Sequence, residues 1–167
     1  NLENLWLFNC SASDLTPLDL TPLSDLTNLT RLACTFYTVS CPGDLTPLSS
    51  LTNLMSLCIS GWHNLSVLTP LSSLTNLTEL DLTSCKEVSD LSPLSALTNL
   101  TRLDLQDCIK VSDLSPLSSL KKLEILDIRG TNVKSLHGLE NARNLQRLNA
   151  SKRFRFNTRA LEVSGCM

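Results

Sequence analysis

Residues 97–120, LTNLTRLDLQDCIKVSDLSPLSSL, repeat residues 74–97, LTNLTELDLTSCKEVSDLSPLSAL, almost residue for residue. The shared core is Leu-x-x-Leu-x-Leu-x-x-Cys. Its first leucine falls at Leu2, Leu29, Leu54, Leu77, Leu100, Leu123 and Leu145, so the steps are 27, 25, 23, 23, 23 and 22 residues. A period that persists through most of a chain dictates the architecture before any local propensity is considered. Leucine supplies 38 of the 167 residues, whereas aromatic residues make up only 4%. An irregular core mixes side-chain shapes to fill space. One shape at one spacing implies stacked, near-identical layers.

Two periodicities alternate inside each repeat. In LTRLDLQ, Leu103 and Leu105 are two apart, the period of a strand with one buried face. In DLSPLSSL the leucines are three apart and Pro116 stands early, as in a short 3₁₀ or helical return. A strand, a bend and a tight return fill about 23 residues and close one coil. Successive strands then lie parallel, about 4.8 Å apart, with their leucines inward. One coil cannot cover both flanks of its own leucine layer. Each copy of the phrase therefore serves as the surface against which its neighbour buries.

The phrase LTNLTRLDL…VSDLSPLSSL resembles the leucine-rich-repeat family over Leu2 to about Ala150. The 22-residue units of protein phosphatase 1 regulatory subunits and of bacterial internalins are the most similar, through TNL before the strand and DLxPL after it. The resemblance implies an α/β class, a right-handed solenoid of about seven coils. Its parallel sheet would line the concave face, with short 3₁₀, helical or extended segments on the convex face. Those families usually place Asn eight residues after the register leucine. Here the position holds Cys10, Tyr37, Trp62, Cys85, Cys108, Thr131 and Arg153. Cysteine there, in a 23-residue unit, is similar to leucine-rich repeats of trypanosomatid parasites.

The array is expected over residues 1–150, as a piece of a longer array or protein. Residues 151–167 form an irregular basic segment, a possible cap or truncated final repeat. In it SKRFRFNTR carries four basic residues and two phenylalanines. The long repeats before Leu54 are expected to bulge on the convex or connecting side and leave the strand register intact. Cys10, Cys85 and Cys108 should point inward as small hydrophobes, Cys34 should replace a core leucine, and Cys58 should lie on the outer side.

Chemistry-bearing patterns are sparse. Seven cysteines with no Cys-x-x-Cys argue against a zinc site. The odd number favours reduced thiols and a cytoplasmic home over a secreted or cell-surface one, although Cys34 and Cys41 could pair outside the cell. Asn-x-Ser/Thr occurs at Asn9, Asn28, Asn64, Asn76, Asn99 and Asn149, but three of these are copies of TNLT produced by the repetition itself. His63 and His137 stand apart from any nucleophile pattern, and no glycine-rich phosphate loop occurs. The chain reads as a non-enzyme with no metal and no cofactor. A net charge of −2 gives no footprint for nucleic acid, and no apolar run is long enough to span a membrane.

Strand residues between the leucines should form the open surface of the sheet. Three columns follow from the register. The first is Asn4, Arg31, Ser56, Glu79, Arg102, Ile125, Arg147. The second is Trp6, Ala33, Cys58, Asp81, Asp104, Asp127, Asn149. The third is Phe8, Thr35, Ser60, Thr83, Gln106, Arg129, Ser151. Candidate partner-binding residues are Trp6, Phe8, Arg31, Glu79, Asp81, Arg102, Asp104, Gln106, Asp127, Arg129 and Arg147. Adjacent aspartates in the second column would repel by about 0.8 kcal/mol if fully hydrated. The function expected is a protein-binding scaffold without a small-molecule substrate. The alternatives are an internalin-like adhesion protein and a regulatory subunit that docks an enzyme such as a phosphatase.

Overall fold

The computed structural model describes residues 2–8, 19–35 and 43–151. Among them, seven strands form one open parallel sheet whose spatial order is their chain order. The strands are β1 Asn4–Phe8, β2 Arg31–Thr35, β3 Ser56–Cys58, β4 Glu79–Asp81, β5 Arg102–Asp104, β6 Ile125–Asp127 and β7 Arg147–Asn149. The α/β solenoid expected from the repeat is the observed fold.

Register follows the repeat. Leu5 faces Leu32, Leu32 faces Leu57, and the line continues through Leu80, Leu103, Leu126 and Leu148. Pairing therefore stays in step across the 27- and 25-residue repeats. The extra residues of those repeats, with Cys10, Tyr37 and Cys41, lie outside the described residues, as does the basic segment after Ser151. Pairing also runs past the short strands. The N–H groups of Ile59, Leu82 and Leu105 donate to the carbonyls of Asp81, Asp104 and Asp127 at 2.9–3.0 Å.

The returns are 3₁₀ turns over Thr21–Leu23, Thr46–Ser50, Thr69–Ser73, Ser92–Ala96 and Ser115–Ser119. Proline is the second residue of each, where its missing N–H costs nothing and its fixed φ suits the turn. Asp19, Asp44, Asp90 and Asp113 start four of these turns, each accepting the backbone N–H two residues on at 2.8–2.9 Å. Leu48, Leu71, Leu94 and Leu117 bury from the turns into the stack. Serine hydroxyls then tie turn to turn, with Ser73 Oγ donating to Ser49 O and Ser119 Oγ to Ser95 O, both at 2.8 Å.

The core is a continuous file of leucines, and inner members such as Leu57, Leu80 and Leu103 are at most 2% exposed. Leu5, Leu7, Leu148 and Ala150, in the first and last described coils, are only partly buried. Each full burial contributes about 1.5–3 kcal/mol, so inner coils gain from two neighbours what end coils gain from one.

Candidate functional site

The first two outward columns form by the same register that buries the leucines. Asn4, Arg31, Ser56, Glu79, Arg102, Ile125 and Arg147 align across β1–β7, and Trp6, Ala33, Cys58, Asp81, Asp104, Asp127 and Asn149 align beside them. Arg31, Glu79, Arg102, Arg129 and Arg147 are exposed, and Trp6 is 55% exposed at the first strand. Asp81, Asp104 and Gln106 are half-buried. Phe8 pairs with Thr35 in the backbone register.

The aspartates have a local task that the strand pattern does not reveal. Asp81, Asp104 and Asp127 each accept the backbone N–H two residues on, from Thr83, Gln106 and Arg129, at 2.8, 2.9 and 3.0 Å. One oxygen of each carboxylate thus closes the strand end, as an Asx turn does. Their surroundings then diverge. Burial, and after it the neighbouring Asp81 and Asp127, push the Asp104 carboxyl above its ordinary pKa. Asp127 is only 3% exposed. Its burial alone would raise the pKa, but hydrogen bonds from the Arg129 side chain and backbone and from Asn149 prevail and hold it below the ordinary range. Arg129 Nη2 lies 2.6 Å from Asp127 Oδ2 and also donates to Gln106 Oε1 at 2.7 Å.

Two expectations about the open face are corrected. Asp127 is covered, so at this coil the surface presented is the Arg129 guanidinium that lies over it. Ser60, placed in the third outward column, is buried. Cys58 is half-buried rather than open, and its thiol donates to Asp81 Oδ2 at 3.4 Å. Burial and then the Asp81 charge push that thiol up to about 11. Cys34, Cys85 and Cys108 are core residues, as expected.

A second surface feature escaped the strand-based reading. Along the edge where the chain enters each strand runs a groove of about 660 Å³, from Glu3 in the first coil to Lys122 in the sixth. Between these ends it is lined by Asn28, Asn53, Asn76 and Asn99 together with Thr30, Met55, Thr78 and Thr101. The asparagines form a ladder. Nδ2 of Asn53, Asn76 and Asn99 donates to the carbonyls of Thr27, Thr52 and Thr75 in the preceding coil, at 2.9, 2.9 and 3.0 Å. The threonine hydroxyls at 30, 78 and 101 likewise donate one coil back, to Glu3, Met55 and Thr78. The signal was present in the sequence as the recurring TNLT, whose frame role also accounts for the Asn-x-Thr matches at Asn76 and Asn99.

Two copies of the Leucine Rich repeats family pattern match residues 75–119 and 98–141. Residues 75–141 thus carry leucine-rich repeats. Among solved structures, an internalin (inlF) from Listeria monocytogenes is similar at 31% identity and a TM-score of 0.70, over 81% of this chain and 38% of that one. An internalin C2 from the same organism is similar at 29% identity and a TM-score of 0.69, over 83% of this chain and 61% of its own length. The chain thus spans less than two thirds of either internalin. A TLR13–ssRNA13 complex, 24% identical with a TM-score of 0.69, shares the fold. No curated protein matches the chain. Among the described residues, no cluster of His, Cys, Asp or Glu could hold a metal ion, and no helix is long and apolar enough to cross a membrane.

Proposed function

We propose that the chain is a non-catalytic scaffold that holds a protein partner on the open face of its sheet. A single observation carries this reading. Parallel sheets are ordinarily covered on both faces, whereas here the leucine core covers one face and the other presents exposed Trp6, Arg31, Glu79, Arg102 and Arg147 on a rigid frame. Tryptophan and arginine are the residue types most enriched at binding hot spots. In this reading Phe8, Asp81, Asp104, Gln106 and Arg129 complete the surface, Asp127 acts through Arg129, and the array spans residues 1–150, followed by an irregular basic segment over 151–167 that is either a cap or a truncated final repeat.

The test compares Arg102→Glu with Lys86→Glu, whose side chain is exposed in the bend outside the strand. Affinity-captured proteins that depend on the concave face are retained by Lys86→Glu and lost with Arg102→Glu, because the new carboxylate sits beside Asp104 and reverses the local field. Equal capture by both variants would place the protein interface elsewhere.

The likeness to two internalins supports a second reading, an extracellular adhesion protein. A regulatory subunit docking an enzyme remains the intracellular counterpart. Thiol titration under denaturing, non-reducing conditions separates them: seven reactive thiols support the cytoplasmic reading, and fewer support the extracellular one.

A further inference from the structure

We infer that the open face over β5–β7 takes an acidic peptide segment of the protein partner, with carboxylates on either side of one apolar residue. This occupant rests on the open face being the docking surface.

Charge is distributed unevenly along the stack. Residues 1–100 hold two lysines and arginines against nine aspartates and glutamates, whereas residues 101–167 hold twelve against seven. On the sheet this asymmetry surfaces as three exposed arginines. Arg102 on β5 and Arg147 on β7 flank Ile125 of β6 in the first column. With strands about 4.8 Å apart, the two arginine backbones stand about 10 Å from each other with Ile125 midway. Ile125 is half-buried, so part of its side chain is open to the same partner. The third arginine, Arg129, enters from the end of β6.

The carboxylates of these coils sit lower. Asp104 and Asp127 are short side chains tied to the backbone N–H two residues on, at 2.9 and 3.0 Å. Asp127 is buried and Asp104 half-buried, whereas Arg102, Arg129 and Arg147 are exposed. A partner approaching the face therefore meets guanidinium before carboxylate. Among the described residues, neither Arg102 nor Arg147 enters an ion pair. Arg129 spends Nε and Nη2 on Asp127 and Gln106, which holds its guanidinium in place. Both Nη1 hydrogens are left without an acceptor among the described residues. A fork fixed in this way loses little freedom when it takes up a carboxylate.

A nucleic acid fits this face less well. The cationic stretch ends at β4, where Glu79 and Asp81 take the first and second columns. Three strands are a short track for a polyanion that carries charge at every unit. No phenylalanine, tyrosine or tryptophan occurs between residues 101 and 151 on which a base could stack. A peptide can instead set carboxylates on Arg102 and Arg147 and an apolar side chain on Ile125, and keep its acids clear of Glu79.

The probe is a displayed random dodecapeptide library selected on the full chain at physiological salt. The best binder is then remade and its Kd measured by fluorescence anisotropy. Enriched peptides should carry Asp or Glu on both sides of an apolar residue. Arg102→Glu and Arg147→Glu should each weaken the binder by about tenfold or more, with melting midpoints unchanged. Lys86→Glu should change it by less than about twofold. Asp104→Asn should tighten it, a gain that no folding defect produces. Enrichment without acidic residues, no enrichment, or an affinity indifferent to both arginine variants would each overturn the inference. An oligothymidylate that binds more tightly than the peptide, and weakens in the same variants, would overturn it too and reassign the patch to nucleic acid. Non-acidic peptides lost with Trp6→Ser would overturn the acidic assignment alone and leave the open face as the docking surface. Peptides that neither Trp6→Ser nor the arginine variants affect would remove both.

Discussion

The indole N–H of Trp62 donates to the carbonyl of Cys34, one coil back, at 2.8 Å inside the core. The thiols of Cys85 and Cys108 repeat this bond to the carbonyls of Ile59 and Leu82, at 3.3 and 3.1 Å. An indole and two thiols thus fill the place that the resembling families give to asparagine, by the same means of a donor directed at the preceding coil. Trp62→Phe removes the donor and part of the ring, so a lost hydrogen bond and a small cavity act together. The lost bond alone should cost about 1–3 kcal/mol, the usual penalty for stranding a buried polar partner. An unchanged urea midpoint would show that the bond contributes nothing.

Burial, and then other influences including Asp104 and Asp81, push the Cys108 thiol up to about 12, while Cys58 stands at about 11. Both should therefore be poor nucleophiles at pH 8 in the folded chain. Iodoacetamide labelling mapped by mass spectrometry should find them modified far more slowly than in urea. Because folding raises these pKa values, the neutral thiols favour the native state fully below the unfolded value of about 8.5. As pH climbs beyond it, the unfolded chain ionises first, so stability should decline up to the folded values. Labelling of Cys108 at the unfolded rate would contradict this.

Val67 interrupts a file of caps. With Val67 counted between Asp44 and Asp90, the place recurs at 23-residue intervals through Asp113, and hydroxyl and then backbone hydrogen bonds from Thr46, Ser92 and Ser115 hold the three carboxyls below the ordinary range. Val67 is 55% exposed and cannot accept such a bond. Val67→Asp should stabilise the chain by about 1 kcal/mol at pH 7. The gain should fade as pH falls through the lowered carboxyl pKa, because a depressed pKa stabilises only while the group is ionised. Urea titrations at pH 7 and pH 3 check both halves, and a loss of stability at pH 7 would refute the cap.

Gly61, Ser84, Asp107 and Gly130 recur at 23-residue intervals with φ of 82°, 62°, 59° and 73°. The bend after each strand requires left-handed backbone, which glycine adopts without penalty. Ser84→Gly should gain about 0.5–1 kcal/mol. Gly130→Ala should lose more than that, since its Cβ would lie 2.1 Å from Asp107 Oδ1. A loss of stability in Ser84→Gly, or a gain in Gly130→Ala, in thermal unfolding would refute the assignment.

Asp104→Asn keeps an acceptor for the Gln106 N–H and removes a charge from the column. Its folded pKa is raised, so the carboxyl costs nothing below its unfolded value, an increasing amount as pH climbs from there to the folded value, and its full amount above it. The variant should be more stable by up to about 1 kcal/mol at pH 7 and equal to the parent at pH 3. A gain that persists at pH 3 would not be electrostatic.

The period, the inward leucines and the proline-started returns were legible because each is a local rule repeated. Leu5, Leu32 and Leu57 had to align once strands were stacked at the repeat length, whatever the length of the loops between them. The groove was less legible. TNLT was visible as repetition, but its amides acquire a direction only when the preceding coil supplies a carbonyl.

What the sequence determined by itself is the coil: which side chains point inward, where the chain turns, and that a neighbour of the same kind must cover each layer. What only the tertiary structure decided is the difference between copies of one phrase. Asp81, Asp104 and Asp127 follow the same leucine in the same strand position, yet the last is sealed beneath Arg129 and bonded to Asn149 of the next coil, while Asp104 meets two like charges. A local phrase sets a side chain's direction, but its solvation and charge depend on residues roughly 23 positions away in the chain and one strand away in space.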